Sequence, residues 1–321
     1  MLNLEKGVYG YFNILNISYS DNMVKYIYLK SDDSNIFLKY IDNGKIKKYY
    51  KYNYNCFFMR VIRKLRLDGK LVWGDWYKTI DKFDLVILGE NYYSFNISRY
   101  IKKKNKHCRL IVYFWNCIND GYKEILEDKN IDEFWTFDKN DSNSYKMKYN
   151  PQFYTKNVKI EDKNTKKKYD IVFLGRAKGR KEQILNLENE FKRKGLNYNI
   201  RIVENEKDLV KYDDYLDWLS KSKSILDITC NNQVGLTLRC MESIFLEKKL
   251  ITNNKEIKKY NFYNPKNIFI LDEDNMDNIE TFLNSPYEKV DQEIIEYYDF
   301  ESWLKRFYTN NIGEEYEQSN K

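Results

Sequence analysis

The chain has 321 residues, 42% of them hydrophobic, and a formal net charge of +7. The length suits two domains or one large one, and the apolar share excludes wholesale disorder. The excess of 55 Lys and Arg over 48 Asp and Glu is modest; it suits a phosphate or an acidic membrane face, or reflects a codon bias toward Lys.

Short apolar runs alternate with amphipathic stretches. In the first half, strands are expected at VYGYFNILNI (8–17), NIFLKYI (35–41), DLVILGE (84–90), RLIVYFWN (109–116) and EFWTFD (133–138). Between them lie helix-like segments, CFFMRVIRKLRL, WYKTI, NISRYIKKKN and GYKEILED. Strands apolar on both faces and separated by helices predict a parallel sheet covered on both sides. Residues 155–168, TKNVKIEDKNTKKK, break the rhythm and read as a linker or an exposed loop.

The alternation then restarts. Strands are expected at 169–175, 197–204, 224–230, 249–254 and 267–272. Helices are expected at 180–195, with Gly195 as the stop, and at 214–222, 237–248 and 276–285. The tail 292–308 reads as one or two helices. The expected fold is therefore α/β, with two doubly wound Rossmann-type domains facing a cleft. The divisions are 1–155 for the first domain, 156–168 for the linker, 169–291 for the second domain, and 292–321 for C-terminal helices that cross back.

Five cysteines make no CxxC pair, which suits reduced thiols in a cytosolic protein, and a single histidine, His107, argues against a histidine-based zinc site. The N-terminus lacks a signal-peptide pattern, and the longest apolar run, LIVYFWNCI, is too short to cross a bilayer. The expected location is cytoplasmic, with peripheral contact on the inner membrane face. The lysines spread along the chain and no aromatic–basic module is present, so nucleic acid is not an expected partner.

Two strand-to-helix junctions carry candidate chemistry. FLGRAKGRKEQ (173–183) ends a strand at Gly175 and places Arg176, Lys178 and Arg180 before a helix. Glycines let backbone approach an anion, while helix amides and cations complete a phosphate site; a basic loop with a glycine turn fits as well. NNQVGLTLRCMESIF (231–245) puts Gly235 before a helix, Thr237 at its cap and Arg239 in its first turn. A cation at a helix start is unfavourable by itself, so a bound anion would explain Arg239. Glu242, one turn on, could accept from both hydroxyls of a ribose, or pair with Arg239 on the surface.

From DYLDWLSKS through NIFILD (214–272), this second junction included, the chain resembles bacterial glycosyltransferases of the two-Rossmann (GT-B) type from capsule and lipopolysaccharide clusters. FDLVILGE, RLIVYFWN and FWTFDKNDSNSYKMKYNPQFY are similar to their N-terminal domain, so the resemblance covers roughly residues 80–285. It implies transfer of a sugar from a nucleotide-diphosphate donor to a glycan or lipid-linked acceptor. It also implies Glu242 on the ribose, and Gly235, Leu236 and Thr237 with the helix dipole on the diphosphate. Arg176, Lys178, Arg180 and Arg239 would neutralise the leaving group. The family's two glutamates eight apart are not kept: Val234 stands eight before Glu242, with Gln233 as the candidate sugar contact.

On the facing wall, Glu90, Asp120 and Asp138 stand at strand ends, where a base for the acceptor hydroxyl would sit or where helices are capped. Glu90 and Asp120 are the candidate bases. No DxD pair stands at a strand end, so no metal cofactor is expected. A non-catalytic nucleotide-sugar or glycan-binding protein of the same fold is the alternative. The oligomeric state is not legible in the sequence.

Overall fold

A computed structural model describes residues 24–30, 37–41, 46–52, 56–65, 67–90, 96–160, 167–230 and 233–309. The strand expected at 8–17 lies outside them, as do residues 161–166 of the suggested linker.

The first half forms one six-stranded sheet. Its strands are β1 (Tyr26–Lys30), β2 (Ile46–Lys48), β3 (Leu85–Gly89), β4 (Arg109–Phe114), β5 (Glu133–Thr136) and β6 (Lys148–Tyr149), in the order β2-β1-β3-β4-β5-β6. Every pairing is parallel, with Leu29 opposite Leu88 and Gly89 opposite Tyr113. Helices α1 (Phe57–Lys64), α2 (Ile97–Lys104), α3 (Lys123–Leu126) and α4 (Lys139–Tyr145) lie between the strands.

The second half holds β7 (Tyr169–Arg176), β8 (Tyr198–Val203), β9 (Ser222–Asp227), β10 (Lys249–Thr252) and β11 (Ile268–Ile270), in the parallel order β11-β10-β9-β7-β8. Helices α5 (Lys181–Arg193), α6 (Tyr212–Ser220), α7 (Leu238–Phe245) and α8 (Ile279–Asn284) connect or follow them. Each sheet is parallel and interleaved with helices, so the fold is α/β with two doubly wound units. Gly195 takes φ 70° after α5, the left-handed stop its position predicted.

Burial explains why these segments form strands. Along β1, Tyr26 and Tyr28 face one core and Ile27 and Leu29 another, as the two-residue period of a strand requires when both faces are covered. Behind the first sheet, Ile27, Leu29, Val86 and Leu88 pack on Ile62 of α1 and Ile101 of α2. Behind the second, Phe173, Leu226 and Ile251 pack on Ile184 and Phe191 of α5. A third core joins the halves, bringing Ile87, Tyr113 and Phe137 together with Leu236, Met241 and Leu250.

Helices α9 (Gln292–Tyr298) and α10 (Phe300–Lys305) return to the first half. The buried Trp303 ring lies 4.1 Å from Phe153 and 4.9 Å from Tyr113. Asn150 Nδ2 donates to the Trp303 carbonyl at 3.1 Å, and Arg109 Nη1 donates to that of Phe307 at 2.7 Å.

Three details of the first half differ from the sequence reading. β1, β2 and β6 were not anticipated. The strand expected at 35–41 is instead a 3-10 turn over Phe37–Tyr40. Phe37 inserts against Phe153, Tyr154 and Trp115, and packing of that ring sets the local backbone. WYKTI likewise forms 3-10 turns, Asp75–Lys78 and Ile80–Lys82.

Candidate functional site

The carboxyl ends of β3, β4 and β5 meet those of β7 and β9 along a seam, here called the crevice, the place where doubly wound sheets bind ligands. After β7 the loop turns sharply: Lys178 and Gly179 both take left-handed φ, 42° and 80°. Gly179 accepts that conformation freely and Lys178 does so at a cost. The turn carries Lys178 across the crevice, where its Nζ donates to Asn116 Oδ1 at 2.8 Å. Asn116 Nδ2 in turn donates to Glu90 Oε1 at 2.6 Å, and the Trp115 amide donates to Glu90 Oε2 at 3.2 Å.

The same loop presents Arg180. Its guanidinium donates to the carbonyls of Arg176 and Ile228, and its carbon lies 5.7 Å from the centre of the Phe173 ring. Arg239 reaches the same ring at 5.2 Å. A Cβ built on Gly175 would lie 2.9 Å from Phe173 Cζ, 3.1 Å from Arg239 Nη1 and 3.2 Å from Arg180 Nη2. Two guanidinium groups thus converge over one glycine at the end of β7. Burial, together with the Arg239 charge, lowers Arg180 to about 10. Arg239 has a carboxylate partner, Asp227; Arg180 has only carbonyl oxygens among the described residues.

Asp227 is a residue the sequence reading missed, and it organises the floor of the crevice. It is fully buried at the end of β9. Its Oδ1 accepts from Arg239 Nε at 3.0 Å and Thr237 Oγ1 at 2.8 Å, and its Oδ2 accepts from Thr252 Oγ1 at 3.1 Å. The signal was an acidic residue inside the apolar strand SILDITC, because an ionised carboxylate is buried only where donors surround it.

Three expectations for the second junction need correction: those for Gly235, Arg239 and Glu242. Thr237 does cap α7, accepting from the Cys240 amide at 3.3 Å. Yet the Gly235 amide, expected to face a diphosphate, donates to Asp138 Oδ2 of the first half at 2.8 Å, beside the Val234 amide at 2.9 Å. Leu236 is wholly buried, its side chain in the core that joins the halves. Arg239 needs no external anion, because Asp227 neutralises it. Glu242 is only 1% exposed, and its oxygens accept from Tyr212 at 2.9 Å and Tyr215 at 3.2 Å. No ribose reaches a carboxylate enclosed by two phenols. Burial raises this carboxyl from 4.5 to about 7, against the opposing hydrogen bonds from Tyr212 and Tyr215 and the charge of Arg239.

Among the other candidates, Arg176 is exposed beside the crevice and offers its carbonyl to Arg180. Gln233 donates to the Gly235 carbonyl at 3.3 Å. Glu90 is 4% exposed at the end of β3. Asp120 is exposed on a surface turn, Asp120–Tyr122, capped by Asn119. Asp138 caps α4 while bridging to the second half. Among the described residues, no group of three or more His, Cys, Asp or Glu is placed to hold a metal ion, and no helix is long and apolar enough to cross a membrane.

Fold and site together define an α/β protein of two doubly wound units with a cationic crevice between them. No protein-family model matches the chain, and no curated protein does. Solved structures do resemble it. An α1,3-fucosyltransferase crystallised with GDP is 14% identical over 91% of this chain and 83% of that one, with a TM-score of 0.39. An α1,3-fucosyltransferase structure is 14% identical over 90% and 82%, with a TM-score of 0.40. A GtfA/B complex bound to UDP and GlcNAc is 12% identical over 80% and 60%, with a TM-score of 0.29.

Proposed function

We propose that the chain is a glycosyltransferase, moving a sugar from a nucleotide-diphosphate donor to a glycan or lipid-linked acceptor in surface-polysaccharide synthesis. The observation that supports this most is the pair of guanidiniums over Gly175, of which Arg180 has no carboxylate partner among the described residues, at the carboxyl end of a parallel strand. Arg180, with Lys178 on the rim, would hold the diphosphate and stabilise its charge as the sugar leaves, while Arg239, paired with Asp227, stands behind it. Fixed cations can supply that stabilisation in place of a metal ion, so activity is expected to persist in EDTA.

Glu90 is the proposed base. It stands on the opposite wall and is joined through Asn116 to Lys178, which would couple the wall to the donor side. To act, its carboxylate must exchange the Asn116 amide for the acceptor hydroxyl. That both its oxygens are already engaged favours the second reading, a binding protein that does not turn the donor over.

The test is calorimetric titration with GDP, UDP and their sugars. Lys178→Ala and Arg180→Ala should each weaken binding of the preferred nucleotide about tenfold or more, the scale of one charge-assisted hydrogen bond. Wild-type affinity in both folded variants would remove the assigned site. Binding without donor hydrolysis or transfer would leave the non-catalytic reading.

A further inference from the structure

Although lysines occur throughout the chain, the excess of positive over negative charge is concentrated in one segment. Between Ile46 and Leu71 the sequence carries eight Lys or Arg and one acidic residue, Asp68. That excess equals the net charge of the whole chain, +7, so the rest of the molecule is close to neutral.

The same segment carries exposed apolar groups. Among the described residues nine large hydrophobic side chains are exposed, and six of them lie between Tyr52 and Leu71. Helix α1 shows how this arises. It turns Met59 and Ile62 into the core and leaves Phe57, Phe58, Arg60 and Lys64 outward. Phe57 is 74% exposed and Leu65, just past the helix, 60%.

These groups form one surface. The Tyr52 and Phe58 rings are 5.4 Å apart. The Lys51 amide donates to the Val72 carbonyl at 2.8 Å, which sets Lys51 beside Leu71. The Leu67 amide donates to the Ile62 carbonyl at 3.1 Å, folding Leu67 back onto the end of α1.

A face meant for water has no need of two exposed phenylalanines and three leucines. A face meant for an apolar protein partner has no need of so many cations. Aromatic and aliphatic side chains interleaved with Lys and Arg suit the boundary between lipid headgroups and acyl chains. We propose that the surface formed by Lys51, Tyr52, Phe57, Phe58, Arg60, Lys64, Leu65, Leu67, Lys70 and Leu71 docks this chain onto an anionic lipid bilayer. Phe57, Phe58 and Leu65 enter the headgroup region and the surrounding cations meet lipid phosphates. Docking here does not depend on the transferase reading.

The test is co-sedimentation of the full chain with vesicles of phosphatidylglycerol mixed into phosphatidylcholine, against phosphatidylcholine alone. Binding to the anionic vesicles only, weakened by salt, is the expected result. The double variant Phe57→Ser, Phe58→Ser should lose binding about tenfold per ring while keeping the wild-type melting curve, since neither ring is in the core. Lys64→Glu with Lys70→Glu should lose it as well. Equal binding to neutral vesicles would overturn the proposal. So would wild-type binding by the double phenylalanine variant, the result expected of general adhesion to polyanions such as nucleic acid.

Discussion

Replacing Glu242 by Gln should stabilise the protein at pH 8 and, at pH 4, cost it up to about 1 kcal/mol. The carboxyl is enclosed by Tyr212 and Tyr215 and raised from 4.5 to about 7, chiefly by burial. Below 4.5 the folded and unfolded chains both carry the proton, and the group makes no difference to stability. Between 4.5 and about 7 the unfolded chain releases its proton while the folded one retains it, so stability falls as pH rises. Above about 7 the folded carboxyl has ionised too and the loss is complete. At about 1.36 kcal/mol per pH unit, the loss amounts to roughly 3 kcal/mol. Gln keeps the shape and never ionises. The Tyr212 and Tyr215 hydroxyls can turn so that one donates to its oxygen and the other accepts from its nitrogen, at a cost of about 1 kcal/mol if one bond is poor. A net gain of about 2 kcal/mol at pH 8 is expected. Denaturant unfolding of both proteins across this pH range measures it. A difference independent of pH would refute the reasoning. Nucleotide affinity should not change; a loss of affinity at wild-type stability would return Glu242 to the ribose.

Two glycines separate packing from binding. Gly235→Ala would put a Cβ 2.7 Å from the Phe137 carbonyl oxygen and 2.8 Å from its ring, so the halves must shift apart; we expect a loss of about 1–3 kcal/mol in a denaturation curve, and an unchanged midpoint would contradict this contact. Gly175→Ala meets the tip of the Phe173 ring and the ends of two guanidiniums instead. It should leave the melting temperature nearly unchanged while weakening GDP or UDP about tenfold in titration calorimetry; the reverse pattern would show that the cradle is structural.

The second half was legible because its strands carry Ile, Leu, Val and Phe in short runs, and Gly195 marks a helix end. The first half was less so. YIYLK at β1 mixes Tyr with Lys, and its two-sided burial becomes visible only once α10 and α1 cover its faces. Phe37 lay in a strand-like run but is fixed by three aromatic neighbours distant in sequence. The proposed site draws on Arg180 and Lys178, which the sequence already marked as cations flanking a glycine turn. It was misread at Glu242, because Tyr212 and Tyr215 approach from a helix some thirty residues earlier and one-dimensional spacing cannot show that enclosure. Arg239 was misread for the same reason, its counterion lying twelve residues back at the end of another strand.

Asp138 explains why the expected diphosphate site and the observed cationic cradle lie in different places. Free amides before a helix favour any nearby anion. Here the first half supplies one, since Asp138 accepts from Val234 and Gly235 with the oxygen not used to cap α4. A carboxylate held within the chain needs no ordering from solution, so it competes well with a dissolved ligand for those amides. The amides therefore join the two halves, and in the proposed site the task of attracting an external anion falls to Arg180 and Lys178 instead. Parting the halves would leave two amides without their acceptor and break the Lys178–Asn116 link, while the capping bonds of Asp138 to Asn140 and Asp141 would remain. The crevice is thus held closed by polar contacts that water can replace, alongside an apolar core that it cannot, and any opening must pivot on that core.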